Sequence, residues 1–437
     1  MRQTCLVLLI ACLAAASCSP PQVPPPAKKV GAPSKETPAQ PAAKAAAKGP
    51  ATNGAPAAKP AAKSAAVKPP GPKAAPAKPF VLSAIELTPQ QVTDGWINLF
   101  DGTSLFGWSS APGSAWTVRD GAIAAAPSGW LLTHQPFTDF RLRLQFRTTG
   151  AASAVVALRA KPDGDPTESG FLVDPAKSNA KPGEWHAYDI LARGSEYVVL
   201  LDGRQLLRTR RFSPLAGALA LSGGAIEYRA IQLRPLDMAC MFNGKSLDGW
   251  RRVERSPVPP QPAEWSVRDG MIHVEKGPGQ LESQYAFDDF IFQADIRANS
   301  TDPARHPNSG IFFRGDRDIF WSGYEVQLRN EFSGGDPSKP VDFGTGGLYH
   351  RQPARRIVAK DNQWFTMTIS ASGRRLSVWI DGMPVTSYRD PGPEGLNVRE
   401  GQARLLRGSI SLQAHDPTTN LDFRSLCIAP MPRLSGK

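Results

Sequence analysis

The chain has 437 residues, 41% hydrophobic and 21% charged, a balance typical of a soluble globular protein with two or three domains. Its 51 Lys plus Arg exceed its 39 Asp plus Glu to give +12, yet 19–80 alone holds ten Lys and a single acid, Glu36, so the remainder is close to neutral. That distribution excludes a basic nucleic-acid face, and the lack of an 18-residue apolar run beyond the extreme N-terminus excludes a membrane-spanning helix.

In chain order, the first element is a short basic head, Met1-Arg2-Gln3, followed by an apolar run from Leu6 to Ala16 and small residues before Cys18. This reads as a secretion signal over 1–18. Ala15-Ala16-Ser17-Cys18 resembles a lipoprotein signal, in which the Cys becomes the lipidated first residue and fixes the protein to the membrane of the cell envelope, in the periplasm or at the outer membrane. Leu9-Ile10-Ala11-Cys12 fits locally but leaves too short an apolar run, and ordinary cleavage into the periplasm is the alternative. Next, 19–80 contains 16 Pro among Ala and Lys. It lacks the apolar residues that would offset the entropy of ordering and reads as a tether, reaching on the order of 190 Å if extended as polyproline II.

From residue 81 the chain repeats itself. Leu99-Phe100-Asp101-Gly102 through Trp108 returns as Met241-Phe242-Asn243-Gly244 through Trp250, and Trp116 to Gly121 returns as Trp265 to Gly270. Glu184-Trp185 matches Gln363-Trp364, Leu201-Asp202-Gly203 matches Ile380-Asp381-Gly382, and Ile226 to Arg229 matches Leu421 to Arg424. The offset grows along the chain, so the second copy carries longer loops, where binding and chemistry usually reside. Two tandem domains, 81–236 and 237–437, follow. Runs such as Arg141 to Phe146 and Arg375 to Ile380 alternate with period two between Asp-Gly and Gly turns, which predicts all-β antiparallel sandwiches.

Positions two apart in a strand share a face. Asn308, Phe312 and Arg314 are therefore expected together, with Glu325 and Gln327 opposing Tyr324 and Val326, and Gln413 and His415 opposing Leu412 and Ala414. If these phases point to one concave sheet they line a polar groove; an exposed polar sandwich face is the bland alternative. The first copy aligns Leu172 with Glu325, Ser222 with Gln413, Gly224 with His415, and Ala152 or Ser153 with Asn308, while Arg159 stays opposite Arg314. The fold thus survives without those polar groups, which favours a site in the second copy and leaves the first as scaffold or binding module.

The openings ending in Gly-Trp, together with Asn308-Ser309-Gly310-Ile311-Phe312-Phe313-Arg314, Gly323-Tyr324-Glu325-Val326-Gln327, Gly347-Leu348-Tyr349 and Gly408 to His415, resemble the 3-keto-disaccharide hydrolase domain family. The resemblance implies two concanavalin A-like jelly rolls, the first degenerate, and a hydrolase acting on glycosides whose C3 hydroxyl is oxidised to a ketone. Such a ketone acidifies the C2 hydrogen, so one base and one oxyanion-stabilising group suffice for elimination of the C1 oxygen, after which water adds back. Glu325 or His415 could be the base, Arg314 and Gln327 could steady the enolate, and Asn308, Tyr349, Gln413 and Trp321 are expected to contact the sugar. Paired carboxylates are disfavoured, because Gln327 stands where a second acid would be needed and Glu331 falls roughly 20 Å from Glu325 along a regular strand. A non-catalytic carbohydrate-binding lipoprotein is the alternative.

No cofactor is expected, with a divalent metal on His350, His415 and Glu325 left open, and Gly344-Thr345-Gly346-Gly347 reads as a flexible loop entry. Trp321, which has no counterpart in the first copy, either stacks on a sugar ring or packs under its own loop. Cys240 and Cys427 fall on the first and last strands of the second domain, opposite Asn98 and Gln232 of the first, and are bridged or free by this reading.

Overall fold

Short alternating runs become hairpins where an Asp-Gly pair can reverse the chain. At Asp120-Gly121, Asp202-Gly203, Asp269-Gly270 and Asp381-Gly382 both residues adopt positive φ, 50° and 70° at the first pair. This turn matches the twist of its flanking strands. The four pairs join Thr117–Arg119 to Ala122–Ala124, Glu196–Leu201 to Arg204–Arg210, Glu264–Arg268 to Met271–Glu275, and Arg375–Ile380 to Met383–Arg389. The computed structural model describes residues 86–150, 154–174, 180–212 and 214–434. The expected signal, Cys18 and the tether over 19–80 lie outside these residues, as do Ala152 and Ser153.

Two sandwiches result, each an eight-stranded sheet facing a five-stranded one. In the second, the larger sheet runs Glu264–Arg268, Met271–Glu275, Asn420–Met431, Asp289–Ala298, Trp364–Ser372, Arg375–Ile380, Met383–Arg389, with Ala239–Cys240 also pairing Asn420–Met431. The smaller sheet runs Trp250–Val253, Gly279–Phe287, Gly408–Ala414, Ser309–Gly315, Tyr324–Leu328. The first sandwich repeats this order strand for strand, its smaller sheet being Trp108–Ser110, Trp130–Thr133, Ala218–Ser222, Val156–Ala160, Phe171–Val173. Fully buried residues such as Leu281, Ile311, Phe313 and Val326 from the smaller sheet meet Phe290, Phe292, Met367 and Phe423 from the larger, as period-two alternation requires. Among the described residues the α-helices are two single turns, Pro89–Thr93 and Pro166–Ser169, and no helix is long and apolar enough to cross a membrane.

The sandwiches dock through the larger sheet of the second. Trp379 Nε1 donates to Asn98 O at 3.0 Å, and Ile291, Trp379 and Met431 join the core cluster of the first sandwich. Gln135 reaches across with both ends of its amide, donating to Ser377 Oγ at 3.1 Å and accepting from Ser370 Oγ at 3.2 Å. The smaller sheet of the second sandwich is left with its outer face free of that interface.

Cys240 and Cys427 are directly opposite in register and bonded as a disulfide. Asn98 and Gln232 hold the same register in the first sandwich. The fold thus supplies the adjacency and the second copy alone supplies sulfur. Closing a loop across a sequence separation of 187 stabilises the native state by roughly 5 kcal/mol in the chain-entropy account.

Candidate active site

On the outer face of the smaller sheet of the second sandwich, the strand Tyr324–Leu328 turns Tyr324, Val326 and Leu328 into the core and Glu325 outward. Phe312 stands directly opposite Glu325, and Gly310 is opposite Gln327. Gly310 makes the space that Glu325 occupies: a Cβ there would lie 2.6 Å from Glu325 Oε1 and 3.2 Å from Gln413 Oε1. The register places Val155 at this point in the first sandwich and Leu172, facing Ala157, in place of Glu325. The outer face there is apolar, with Ala157, Ala160 and Ala220 packed beneath Trp130 and Leu132.

Glu325 is half-buried. Burial pushes its carboxyl up to about 7, against the opposing pull of His415, a hydrogen bond from Gln413 and the charge of Arg399, while Asp342 pushes the same way as burial. His415 donates from Nδ1 to Asp416 Oδ2 at 2.8 Å, with Asn308 Nδ2 3.4 Å from the same nitrogen. The Asp416 bond raises the imidazole above its ordinary value despite burial. Asp416 is itself held down to about 2 by bonds from His415 and Thr418, which outweigh its own burial. Nε2 of His415 is therefore the nitrogen able to exchange a proton with a ligand.

The remaining side chains fall into place around this pair. Trp321, in the loop 316–323, stacks on His415 with ring centres 5.4 Å apart and an interplanar angle of 6°. Its backbone N–H donates to Gln280 Oε1 at 2.6 Å, pinning the loop across the outer face. Trp321 thus serves as a platform for the imidazole, beside the candidate groove. Tyr349 is brought in by its N–H donating to Glu325 O at 2.9 Å, and its phenol lies within electrostatic reach of Glu325 and Asp342. The segment Gly344 to Gly347 is a loop of turns held along the edge strand: Gly346 donates to Gln327 O, and Gln327 donates to Gly347 O.

Two expected roles are overturned. Arg314 does not share a face with Glu325. It adopts φ 54° at a register shift between Phe313 and Gly315, and this bulge swings the side chain out of the period-two pattern. There it is fully buried, donating to Asp288 O, Gly373 O and Arg404 O and pairing with Asp289 at 2.8 Å. Arg159 repeats the bulge, with φ 55°, and the tether, to Thr138 O, Gly194 O and Asp139. Arg314 thus belongs to the fold. Gln327 is buried with both amide hydrogens directed to Asp342, O and Oδ2 at 3.0 Å each, so it orients Asp342 and has none left for a ligand.

Asp342, Arg399 and Asp416 were not singled out from the sequence. Asp416 adjoins His415 and was legible as its partner; the other two ride on long loops of the second copy with no local signature. Among the described residues no three His, Cys, Asp or Glu side chains converge to hold a metal ion, so His350, His415 and Glu325 do not form the ligand set left open, and His350 instead lies edge-on to Tyr349 at 4.2 Å.

The family described as the 3-keto-alpha-glucoside-1,2-lyase-like domain matches residues 95–234 and again 237–429. The chain belongs to this family. Its two family domains coincide with the two sandwiches, and only the second has the Glu325–His415 arrangement. No curated protein matches the chain. Among solved structures it is similar to a "putative glycosyl hydrolase" from Parabacteroides distasonis ATCC 8503, at 18% identity over 45% of this chain and 94% of that one, TM-score 0.35. It is also similar to the carbohydrate-binding module CBM66 from Bacillus subtilis, at 16% identity over 43% and 98%, TM-score 0.30. The exoplasmic/lumenal domain of VIP36 in its Ca2+/Man3GlcNAc-bound form is 11% identical over 44% and 89%, TM-score 0.31.

Proposed function

We propose that the second sandwich cleaves glycosides carrying a ketone at C3, by elimination across C1 and C2 followed by addition of water. The observation that carries this reading is the pairing of a single carboxyl poised near neutrality, Glu325, with an imidazole held by its own carboxylate, His415 and Asp416. Glu331, the alternative second acid, pairs with Arg329, and Asp342 takes the Gln327 amide. In the proposed reaction Glu325 removes the C2 proton, the electron pair moves onto the C3 oxygen, the C1–O bond breaks as the ketone re-forms, and His415 protonates the leaving oxygen from Nε2. Water then adds across the C1–C2 double bond to give the free 3-keto sugar. Incubating the full chain with an aryl 3-keto-glucoside should release the aglycone and form the unsaturated or hydrated 3-keto sugar. Saturable binding with no release would instead establish a carbohydrate-binding protein.

The two groups set the pH dependence. Glu325 must be ionised and gains activity as pH rises through about 7. His415 must be protonated and loses activity as pH passes its raised value. The expected profile of kcat/KM is a bell whose limbs belong to the coupled pair. A flat profile between pH 5 and 9 would remove this acid–base assignment.

For location, we place the chain in the cell envelope, anchored by lipid at Cys18 and spaced from the membrane by the Pro-rich tether. The disulfide supports an oxidising compartment. Cys18→Ala should move the protein from the membrane fraction to the soluble fraction of expressing cells; unchanged fractionation would refute the anchor.

A further inference from the structure

Elimination from a 3-keto sugar needs a positive or hydrogen-bonding group at the C3 oxygen, and the structure withdraws Arg314 from that task. The surrounding cations are mostly committed: Arg314 to Asp289, Arg404 to Asp316, Arg329 to Glu331 and Asp342. Arg399 differs. Among the described residues it forms no ion pair, and its hydrogen bond is from Nη2 to Trp321 O at 2.9 Å. The rest of its five-donor fork is available to a ligand.

Its position is built by a loop that the first sandwich lacks. The connection between Met383–Arg389 and Gly408–Ala414 runs over 390–407, whereas its counterpart, between Arg204–Arg210 and Ala218–Ser222, is the short 211–217. The longer loop is fixed at its base. Tyr324 Oη donates to Asp390 Oδ2 at 2.7 Å and accepts from Arg404 N at 3.0 Å, and Ala403 N donates to Pro393 O. Arg351 Nη2 donates to both Val398 O and Gln402 O, at 2.6 and 3.1 Å, and so holds the 3-10 turn Val398–Glu400 that presents Arg399. Arg399 then grips the carbonyl of Trp321, the residue on which His415 stacks. Its charge acts on both Glu325 and Tyr349. The loop, the cation, Glu325 and His415 thus occur together in one copy and are all missing from the other.

We propose that Arg399 donates to the C3 oxygen of the substrate and holds the negative charge that develops there when Glu325 takes the C2 proton. This deepens the lyase reading and rests on it. The C2–H electron pair becomes the C2–C3 double bond while the C3–O double bond opens to an enolate oxygen facing the guanidinium. When the C1–O bond breaks, that charge returns to re-form the ketone, and the proton for the leaving oxygen comes from His415. The Trp321 carbonyl fixes one arm of the fork and orients the others, so the donor is in place before charge develops.

The test is Arg399→Met and Arg399→Lys in the full chain with an aryl 3-keto-glucoside. The Met variant should lose about 10² to 10³ in kcat with the larger part of the effect in kcat rather than KM, the size found for one oxyanion donor. The Lys variant should recover part of that loss, because it restores charge without the planar fork. The acidic limb of the Met variant should move to higher pH, since Glu325 loses one of the two cations that favour its ionised form and keeps His415 with Asp342 and Tyr349 facing it. Arg399 is exposed, so the thermal midpoint should stay at the wild-type value. Wild-type kcat in Arg399→Met, or a rise in KM alone, overturns the assignment while leaving the lyase reading standing. Absence of turnover in the wild type overturns both.

Discussion

Glu325→Gln is expected to cut turnover of a 3-keto-glycoside by about 10² to 10⁴, the range for loss of a general base, with the fold intact. Gln has the same shape, fits the space left by Gly310 and can still accept a hydrogen bond from Gln413, but it cannot accept the C2 proton. A stability measurement reports on the same group independently of any substrate. The native carboxyl sits at about 7 against an ordinary 4.5, so between those values the native state holds a proton that the unfolded state has released. Stability therefore falls as pH rises through this window, and the fall is complete above about 7. Removing the ionisable group should remove that fall. The difference in unfolding free energy between variant and wild type should shift in favour of the variant, by on the order of 3 kcal/mol at most, from pH 4 to pH 8. Denaturant unfolding at the two pH values checks this. Turnover retained with the pH shift present would move the base to His415; a missing pH shift would mean that Glu325 is solvated and unperturbed.

The contrast between the two copies explains how far the sequence could be read. Leu172 in the place of Glu325 was legible because the strands are regular there and the repeat supplies a register, which the paired strands bear out. Cys240 and Cys427 were legible as neighbours for the same reason. Arg314 failed on the assumption of strict alternation: one residue at positive φ breaks period two, and no side-chain pattern announces it, although the repeat of Arg159 at the same point was a hint of a structural role. Gln327 was placed on the correct strand, but its partner Asp342 lies on a loop whose path depends on Gly344 to Gly347 pairing with the sheet edge. Arg399 is harder still, because its location depends on anchors at Arg351, Tyr324 and Asp316 that are distant in sequence. Loops of the second copy thus carry the information that local pattern cannot reach.

The second large effect concerns Arg314 and separates fold from chemistry. Arg314→Met should destabilise the protein by about 3 to 5 kcal/mol, the cost of stranding one member of a buried ion pair. Asp289, only 2% exposed, would keep its bond from Gly373 N and lose its cation, and three carbonyls would lose their donors. A loss of this size is a large share of the roughly 5 to 15 kcal/mol that holds a domain folded. Arg159→Met should cost less, because its partner Asp139 is 27% exposed and water can replace the lost charge. Lys at 314 should restore little, since one ammonium cannot span Asp288 O, Gly373 O, Arg404 O and Asp289 in the way the guanidinium does. Turnover per folded molecule, measured well below the midpoint, should remain near wild type in Arg314→Met because no atom of the side chain reaches the outer face. Normal thermal unfolding with turnover abolished would restore Arg314 to the active site and remove the case for Arg399 as its replacement.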